Sequence, residues 1–174
     1  MAPGEDEYRR FFMRWMPQVL AYLTWLQGDA AVIEDAAQET LINAFRYWER
    51  VRTLEKPQAW LFKVAGQRLG DVEAARRRHG VSIAPQELPD RPPAGHRDEI
   101  AAHEENMMVV EAMRKLPRQQ AIASTLHYVY GLKVSQIADI MEVAAGSVKT
   151  HLHRARRALQ TVLGEDDEDE GETP

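Results

Sequence analysis

The chain has 174 residues, 44% of them hydrophobic and 28% charged, a composition that suits one ordinary domain or two small helical ones. It contains no cysteine, which excludes disulfides, thiolate nucleophiles and cysteine-ligated zinc. No apolar run approaches the ~20 residues that span a bilayer and the N-terminus lacks a signal-peptide pattern, so we expect a cytoplasmic protein without membrane contact.

The formal net charge of −5 is unevenly distributed along the chain. Seven acidic residues stand among the last ten, and the rest of the chain carries 22 basic and 20 acidic side chains. Such asymmetry is a hint of nucleic-acid interaction. The acidic tail at 164–174 is expected to be disordered, because it has no apolar residue to bury. It either improves solubility or competes weakly for the basic surfaces of the chain.

The N-terminal part is predicted to be helical throughout. An aromatic and aliphatic helix covers 8–26, with Pro17 expected to bend or divide it, and Gly28-Asp29 reads as a stop followed by an N-cap. Pro57 is expected to open a later helix. Apolar residues recur at three- and four-residue steps in both following helices and predict their buried stripes: Ala37, Leu41, Ala44/Phe45 and Trp48, then Leu61, Ala65, Leu69 and Val72.

Residues 81–97 contain four prolines and a glycine, too many breakers for a regular element. We interpret this stretch as the main part of a flexible interdomain linker that covers 81–100. Helical character resumes near Asp98 and continues to Leu116. Pro117 is expected to start a further helix that runs through Tyr130 and ends at Gly131.

The strongest motif lies near the C-terminus. Val134–Met141 is predicted as a short helix with Ile137, Ala138 and Met141 facing inward, residues 142–144 as a turn, and 145–163 as a second helix. No acidic residue occurs between Gly146 and Gly164. A tight helix-turn-helix with a basic second helix is typical of DNA binding in the major groove, although a basic amphipathic helix also packs on proteins. The buried stripe of the second helix is Val148, Leu152, Ala155 and Leu159.

Several runs within 116–159 resemble region 4 of extracytoplasmic-function sigma factors: Leu116 to Gln120, Tyr128 to Leu132, Gln136 to Ala138 and Gly146 to Leu159. The resemblance implies a module that reads the −35 promoter element. The candidate contacts are Ser147, Lys149, Thr150, His153, Arg154 and Arg157.

Three departures from that pattern are expected to weaken local stability. Lys133 and Gln136 stand where the family usually has a serine cap and, three residues later, a glutamate. Half of the capping box is therefore missing. Glu142 stands at the usual turn glycine, where a left-handed backbone strains the chain by about 1 kcal/mol. Ala144 stands where a capping residue is expected before the second helix.

The run Asp35 to Thr40, followed by Ala44 to Arg46, resembles region 2 of the same family. The resemblance implies a helical face that binds the large clamp subunit of core RNA polymerase. Charged residues along a helix usually form an ordinary solvated face, but the apolar Ile42 among them favours a protein-binding face. The residues assigned to core polymerase are Asp35, Gln38, Glu39, Ile42 and Arg46.

The segment Lys56 to Ala65 resembles the promoter-opening part of region 2. Opening DNA requires a base to be pulled from the stack while cations hold the phosphates. Gly66-Gln67 replaces the usual arginine-asparagine, so the −10 base preference is expected to differ, and Gly66 costs up to ~1 kcal/mol within a helix. Residues 76–78 are expected to continue into the loop that lines the base pocket. The candidate −10 contacts are Lys63, Gln67, Arg68, Asp71, Arg76, Arg77 and Arg78.

We therefore predict an all-α protein of two small helical domains: 1–80 as sigma region 2, 81–100 as linker, 101–163 as sigma region 4 with the helix-turn-helix, and 164–174 as tail. The predicted function is that of a sigma factor, with core polymerase (clamp and flap), promoter DNA and an anti-sigma protein as candidate partners. The alternatives are a stand-alone helix-turn-helix regulator and a sigma-like adaptor without promoter opening. The scattered histidines and the lack of nucleotide or nucleophile motifs predict no enzyme, metal or cofactor.

Overall fold

The computed structural model describes residues 3–80 and 107–164, and every regular element in these two ranges is helical. No helix in this part of the chain is long and apolar enough to cross a membrane. The predicted linker and most of the tail lie outside the described residues, as do the residues between Asp98 and position 107. The N-terminal elements are α1 (Pro3–Thr24), α2 (Ala30–Arg46), α3 (Trp48–Val51) and α4 (Pro57–Arg78).

Local signals explain where these helices begin. The Asp29 carboxylate caps α2 by accepting hydrogen bonds from the backbone N–H groups of Ala31 and Val32, at 2.9 and 3.3 Å. Pro57 occupies the first turn of α4, where its missing N–H costs nothing. Both predicted starts are confirmed.

Two details differ from the sequence prediction. Pro17 does not divide the helix: it lies inside the continuous α1, where Trp15 and Val19 on either side are buried. Phe45 is 55% exposed, and Trp48 belongs to a different helix, because α2 ends at Arg46 and the chain turns before α3.

The C-terminal elements begin with α5, helical over 107–115 and followed by α6 (Arg118–Ser124). A π-helical turn, Thr125–Val129, then replaces the last part of the predicted continuous helix, with the Tyr130 N–H donating to the Thr125 carbonyl at 3.2 Å. Gly131 ends the segment at φ 65°, as predicted. The helix-turn-helix consists of α7 (Val134–Met141) and α8 (Ala145–Leu163), both with the predicted bounds.

The helix-turn-helix shows the expected departures. Gln136 Oε1 accepts from the Lys133 N–H at 2.9 Å, which is the half of the capping box that a lysine cap leaves possible. Glu142 adopts φ 55° and ψ 42°, a left-handed conformation, and Ala144 precedes α8 without a side-chain cap. Ile137 is buried as predicted, whereas Ala138 and Met141 are half-buried and Ile140 completes the inner face.

The two groups of helices pack directly against each other. The Tyr130 ring, beyond the π turn, meets the edge of Phe62 at 4.6 Å and of Tyr22 at 6.1 Å between ring centroids. Tyr22 and Phe62 themselves stack at 4.4 Å. A single hydrophobic core therefore runs from α1 through α4 to α7 and α8. The pattern of each segment alone did not predict this docking.

Candidate polymerase and nucleic-acid interfaces

The first candidate surface is the outer face of α2. All five residues assigned to core polymerase are exposed there, while the opposite face of the helix is buried against α1 and α4. Ile42 is 43% exposed, which leaves an apolar side chain in water among charged neighbours. Phe45 and Tyr47, at 55% and 58%, add exposed apolar area that the sequence assignment missed. Such a mixed patch suits a protein partner.

The second candidate surface lies on α4, where the structure brings the −10 residues into three environments. Gln67 and Asp71 are exposed, as their face assignment requires. Arg68 pairs with Asp71 at 3.2 Å, and its Nε is buried without a hydrogen-bond partner. Lys63 is paired with Glu142 at the turn of the helix-turn-helix. In this arrangement the candidate −10 residue Lys63 therefore pairs with a residue of the other module.

The arginine run at the end of α4 is also placed differently from the prediction. All three arginines lie in the last turn of α4 rather than in a loop, because the helix continues to Arg78. Arg77 and Arg78 are exposed. Arg76 turns back and donates to the Asp35 carboxylate at 2.9 Å, which joins a candidate −10 residue to a candidate polymerase residue.

Gly66 has a structural role that its position in a helix did not reveal. A Cβ at this position would lie 3.7 Å from the Tyr22 hydroxyl and 3.8 Å from Ile122 of α6. These are ordinary contacts, so alanine fits, but a longer side chain at this point of α4 meets α6. A small residue at position 66 is therefore compatible with the packing of α4 against α6.

The third candidate surface is the outer face of α8. Lys149, Thr150, His153, Arg154 and Arg157 are exposed, and Ser147 is half-buried. Val148 and Ala155 anchor the opposite face in the core, while Leu152 and Leu159 are half-buried. Arg156 is a further exposed cation that the assignment omitted. Basic and hydroxyl side chains on one face of a recognition helix can pair with phosphates and base edges.

The contact between the modules is desolvated. Burial, followed by the proximity of Tyr130, raises the pKa of the Tyr22 hydroxyl, and Arg118 partly opposes that shift. Burial likewise raises the pKa of Tyr130 and lowers the pKa of Arg114. Both phenols therefore stay neutral at physiological pH. The part of the chain that the structure describes holds no group of three or more side chains suited to a metal ion.

Comparison with known proteins agrees with this division into two modules. Residues 11–79 match the family model "Sigma-70 region 2" and residues 106–159 match "Sigma-70, region 4". The chain is 32% identical over 145 residues to the ECF RNA polymerase sigma factor SigL of Mycobacterium tuberculosis, covering 83% of this chain and 81% of SigL. It is 27% identical over 166 residues to the ECF sigma factor BldN of Streptomyces coelicolor, covering 92% and 62%.

Two solved structures share the fold. The sigma factor RpoE of Bartonella quintana, in complex with the anti-sigma factor NepR, superimposes with a TM-score of 0.73 at 21% identity, covering 92% of this chain and 99% of RpoE. CnrH, in complex with the cytosolic domain of CnrY, gives a TM-score of 0.63 at 16% identity, covering 94% and 91%. At these identities the likeness concerns the fold.

Proposed function

Because the chain belongs to the extracytoplasmic-function (ECF) family of RNA polymerase sigma factors, we propose a division of its surfaces among core polymerase, the −10 element and the −35 element. The protein is a sigma factor that directs promoter-specific initiation, and its partners are core RNA polymerase and promoter DNA. The proposal concerns which residues make each contact and where the domains end.

The α2 face binds the large clamp subunit of core polymerase in this proposal. Its exposed carboxylates, Asp35 and Glu39, offer pairs for basic side chains, and Ile42 offers an apolar anchor. Exposed Phe45 extends the anchor toward α3. An apolar centre with a charged rim is the common composition of a stable protein interface.

The outer face of α4 and its last turn open the −10 element. Gln67 offers an amide to a flipped base, and the exposed Arg77 and Arg78 can meet the phosphates on either side of it. Lys63 and Arg76 join them once their present partners are displaced. The extra methylene of Gln67 compared with asparagine is expected to change the preferred base.

The single observation that carries the proposal is the outer face of α8. Five candidate contacts are exposed together on α8, a helix without any acidic residue. This helix follows the left-handed turn at Glu142 that joins the two helices of the helix-turn-helix. Arg154 and Lys149 are the candidates for base edges, and the remaining cations for phosphates. Region 4 also offers the proposed contact with the flap of the polymerase.

The domain boundaries follow the same reasoning: 1–80 for region 2, 81–100 for the linker, 101–163 for region 4 and 164–174 for the tail. We expect the chain to act in the cytoplasm, where its polymerase is, and without catalytic activity of its own. Since the structural neighbour RpoE is in complex with the anti-sigma factor NepR, an anti-sigma protein is a candidate partner here as well.

Site-specific photocrosslinking tests the assignment. A photoreactive amino acid is placed at Ile42, Gln67 or Arg154, and holoenzyme is assembled on promoter DNA. We expect crosslinks to the clamp subunit from position 42, to the −10 element from 67 and to the −35 element from 154. Glu49, whose side chain is 88% exposed on α3 outside all three surfaces, is the control. Equal crosslinking from Glu49, or DNA crosslinks from position 42, would contradict the assignment.

Run-off transcription tests the function against the adaptor alternative. A sigma factor supports specific transcripts from core polymerase, whereas an adaptor copurifies with core and yields none. A stand-alone regulator would bind promoter DNA without copurifying with core polymerase.

A further inference from the structure

A cavity of about 890 Å³ is lined by residues of both groups of helices. From region 2 it takes residues of α1, of α3 with the loop that follows, and of the first turns of α4. From region 4 it takes Leu132 and three residues of α7, Gln136, Asp139 and Ile140. Its volume falls in the ~300–1,000 Å³ range of small-molecule sites. Of the residues assigned above to core polymerase or to DNA, only Lys63 is part of this lining.

Aromatic side chains make up much of the region 2 part of the lining. Phe11 meets the edge of Trp48 at 5.1 Å between ring centroids and lies 6.1 Å from Trp15. Trp60, in the first turn of α4, is half-buried, so part of its ring is accessible from the cavity. Aromatic surfaces of this kind bind a planar ring by stacking.

The lining also contains an unsatisfied hydrogen-bond donor. Trp48 is only 8% exposed, and its Nε1–H has no hydrogen-bond partner among the described residues. A buried polar group without a partner is uncommon in folded proteins and costs free energy. An acceptor supplied by a ligand would satisfy this donor.

Cations outnumber acids around the cavity. The acids in the lining are Glu7, Glu55 and Asp139, and the cations are Arg10, Arg14, Arg52, Lys56 and Lys63. Two of the five cations are paired, because Arg52 lies 3.9 Å from Glu7 and Lys63 contacts Glu142.

The other three cations have no acidic partner among the described residues. No described carboxylate lies within 4.0 Å of Arg10, Arg14 or Lys56. The Arg14 guanidinium lies 5.4 Å from the centroid of the Trp15 ring, which places a cation beside the aromatic surface. Lys56 is the N-cap of α4 and makes no side-chain cap, so the first N–H groups of that helix are left for another acceptor. These groups together suit a phosphate.

We propose that this cavity binds a nucleoside phosphate, with its base on Trp60 and its phosphate near Arg14, Lys56 and the start of α4. The Gln136 amide and the Asp139 carboxylate offer polar groups for the edge of the base. An aliphatic anion would leave the aromatic surface unused, and an uncharged aromatic molecule would leave the cations without a partner. A nucleotide matches both parts of the lining.

The same chemistry occurs in a free nucleotide and in a single DNA strand. The lining favours the free nucleotide, because side chains from both groups of helices partly enclose the occupant. A continuous strand instead requires an extended groove that follows its backbone.

The test follows the four tryptophan indole N–H signals of the ¹⁵N-labelled full-length protein by NMR while GMP is added. GMP is the probe, because the Asp139 carboxylate can accept hydrogen bonds from the N–H groups on the edge of guanine. Trp15, Trp48 and Trp60 line the cavity, and Trp25 does not. We expect the first three signals to shift with a Kd below about 1 mM and the Trp25 signal to stay in place. Guanosine and inorganic phosphate, added separately, should each bind at least about tenfold more weakly.

Exposed cations provide variants that keep the core intact. Arg14→Gln and Lys56→Gln should each weaken GMP binding by about 3–10-fold, because each removes a charge-assisted contact to the phosphate. Arg9→Gln is the matched control, since Arg9 is an exposed arginine of α1 outside the lining, and it should leave the affinity unchanged. Far-UV circular dichroism checks that all three variants retain their helical content.

The outcomes separate the possible occupants. Indole signals that stay in place at millimolar GMP would overturn the site. Equal affinity for inorganic phosphate and GMP would overturn the assignment to nucleotides, and equal weakening by Arg9→Gln would show general attraction by the basic surface instead of this cavity. If a single-stranded −10 oligonucleotide moves the three signals and GMP does not, the cavity belongs to the promoter strand and the free nucleotide is the wrong occupant.

Discussion

Glycine in place of Glu142 should relieve backbone strain at the turn of the helix-turn-helix. Among the described residues, Glu142 is the one non-glycine residue with positive φ, and it stands at the C-terminal cap of α7. A left-handed conformation costs an L-residue about 1–2 kcal/mol, and glycine avoids most of that cost. The substitution also frees the unfolded chain, which offsets about 0.4–1 kcal/mol of the gain.

In the wild-type background, the substitution also removes the ion pair between Glu142 and Lys63, and this loss reduces the gain in stability. Its side chains are 33% and 61% exposed, so solvent screens it and the pair contributes about 0.2–1 kcal/mol. Glu142→Gly in the wild type should therefore leave the free energy of unfolding within about 0.5 kcal/mol of its starting value. In a Lys63→Gln background, where the pair is already absent, the same change should stabilise by about 0.5–1 kcal/mol.

Urea unfolding followed by far-UV circular dichroism gives the four free energies of this cycle. Glu142→Asn is a matched control, because asparagine tolerates the left-handed region better than glutamate but also lacks the charge. Destabilisation by glycine in both backgrounds would refute the strain. Identical effects in the two backgrounds would refute the contact between Lys63 and Glu142.

Three further predictions concern binding. Charge reversal at Asp35 and Glu39 together should abolish copurification with core polymerase while helical content stays unchanged, and unaltered binding would exclude this face. Arg154→Ala should reduce discrimination among −35 sequences by about 1–3 kcal/mol, measured by competition binding of holoenzyme, whereas equal weakening on every sequence would assign Arg154 to phosphate. Deletion of 165–174 should strengthen promoter binding at low salt. The effect should be smaller at physiological salt, where the Debye length is ~8 Å and the charges of the tail are screened. Equal affinity of both forms at low salt would leave the tail only a role in solubility.

The helix-turn-helix could be predicted from sequence down to its helix ends. Its apolar residues follow a helical period, Gly131 and the turn mark the boundaries, and the absence of acidic residues separates the outer face of α8 from its buried one. Asp29 and Pro57 are similarly local signals with a fixed chemical meaning. Such signals act within one or two turns of helix, which is why they can be recognised without a structure.

The docking of the modules could not be predicted in the same way. Glu73 looks like an ordinary solvated charge on α4, and its burial depends on Arg118, 45 residues further along the chain. The π turn that precedes Tyr130 has no sequence signature either, although it directs that ring toward Phe62. The pairing of Lys63 and Arg76 with acids is likewise a product of tertiary contacts. Face assignments therefore predicted the location of the candidate −10 residues but not their partners.

The most direct test of the sigma-factor function is to sequence the transcripts that core polymerase makes from a genomic DNA library in the presence of this protein. We expect a set of start sites that is absent with core polymerase alone and that shares one −35 and one −10 sequence at a constant spacing. Loss of the shared −35 sequence in the Arg154→Ala protein would connect that element to α8. Start sites that share no sequence, or that do not depend on the protein, would contradict promoter-specific initiation by this chain.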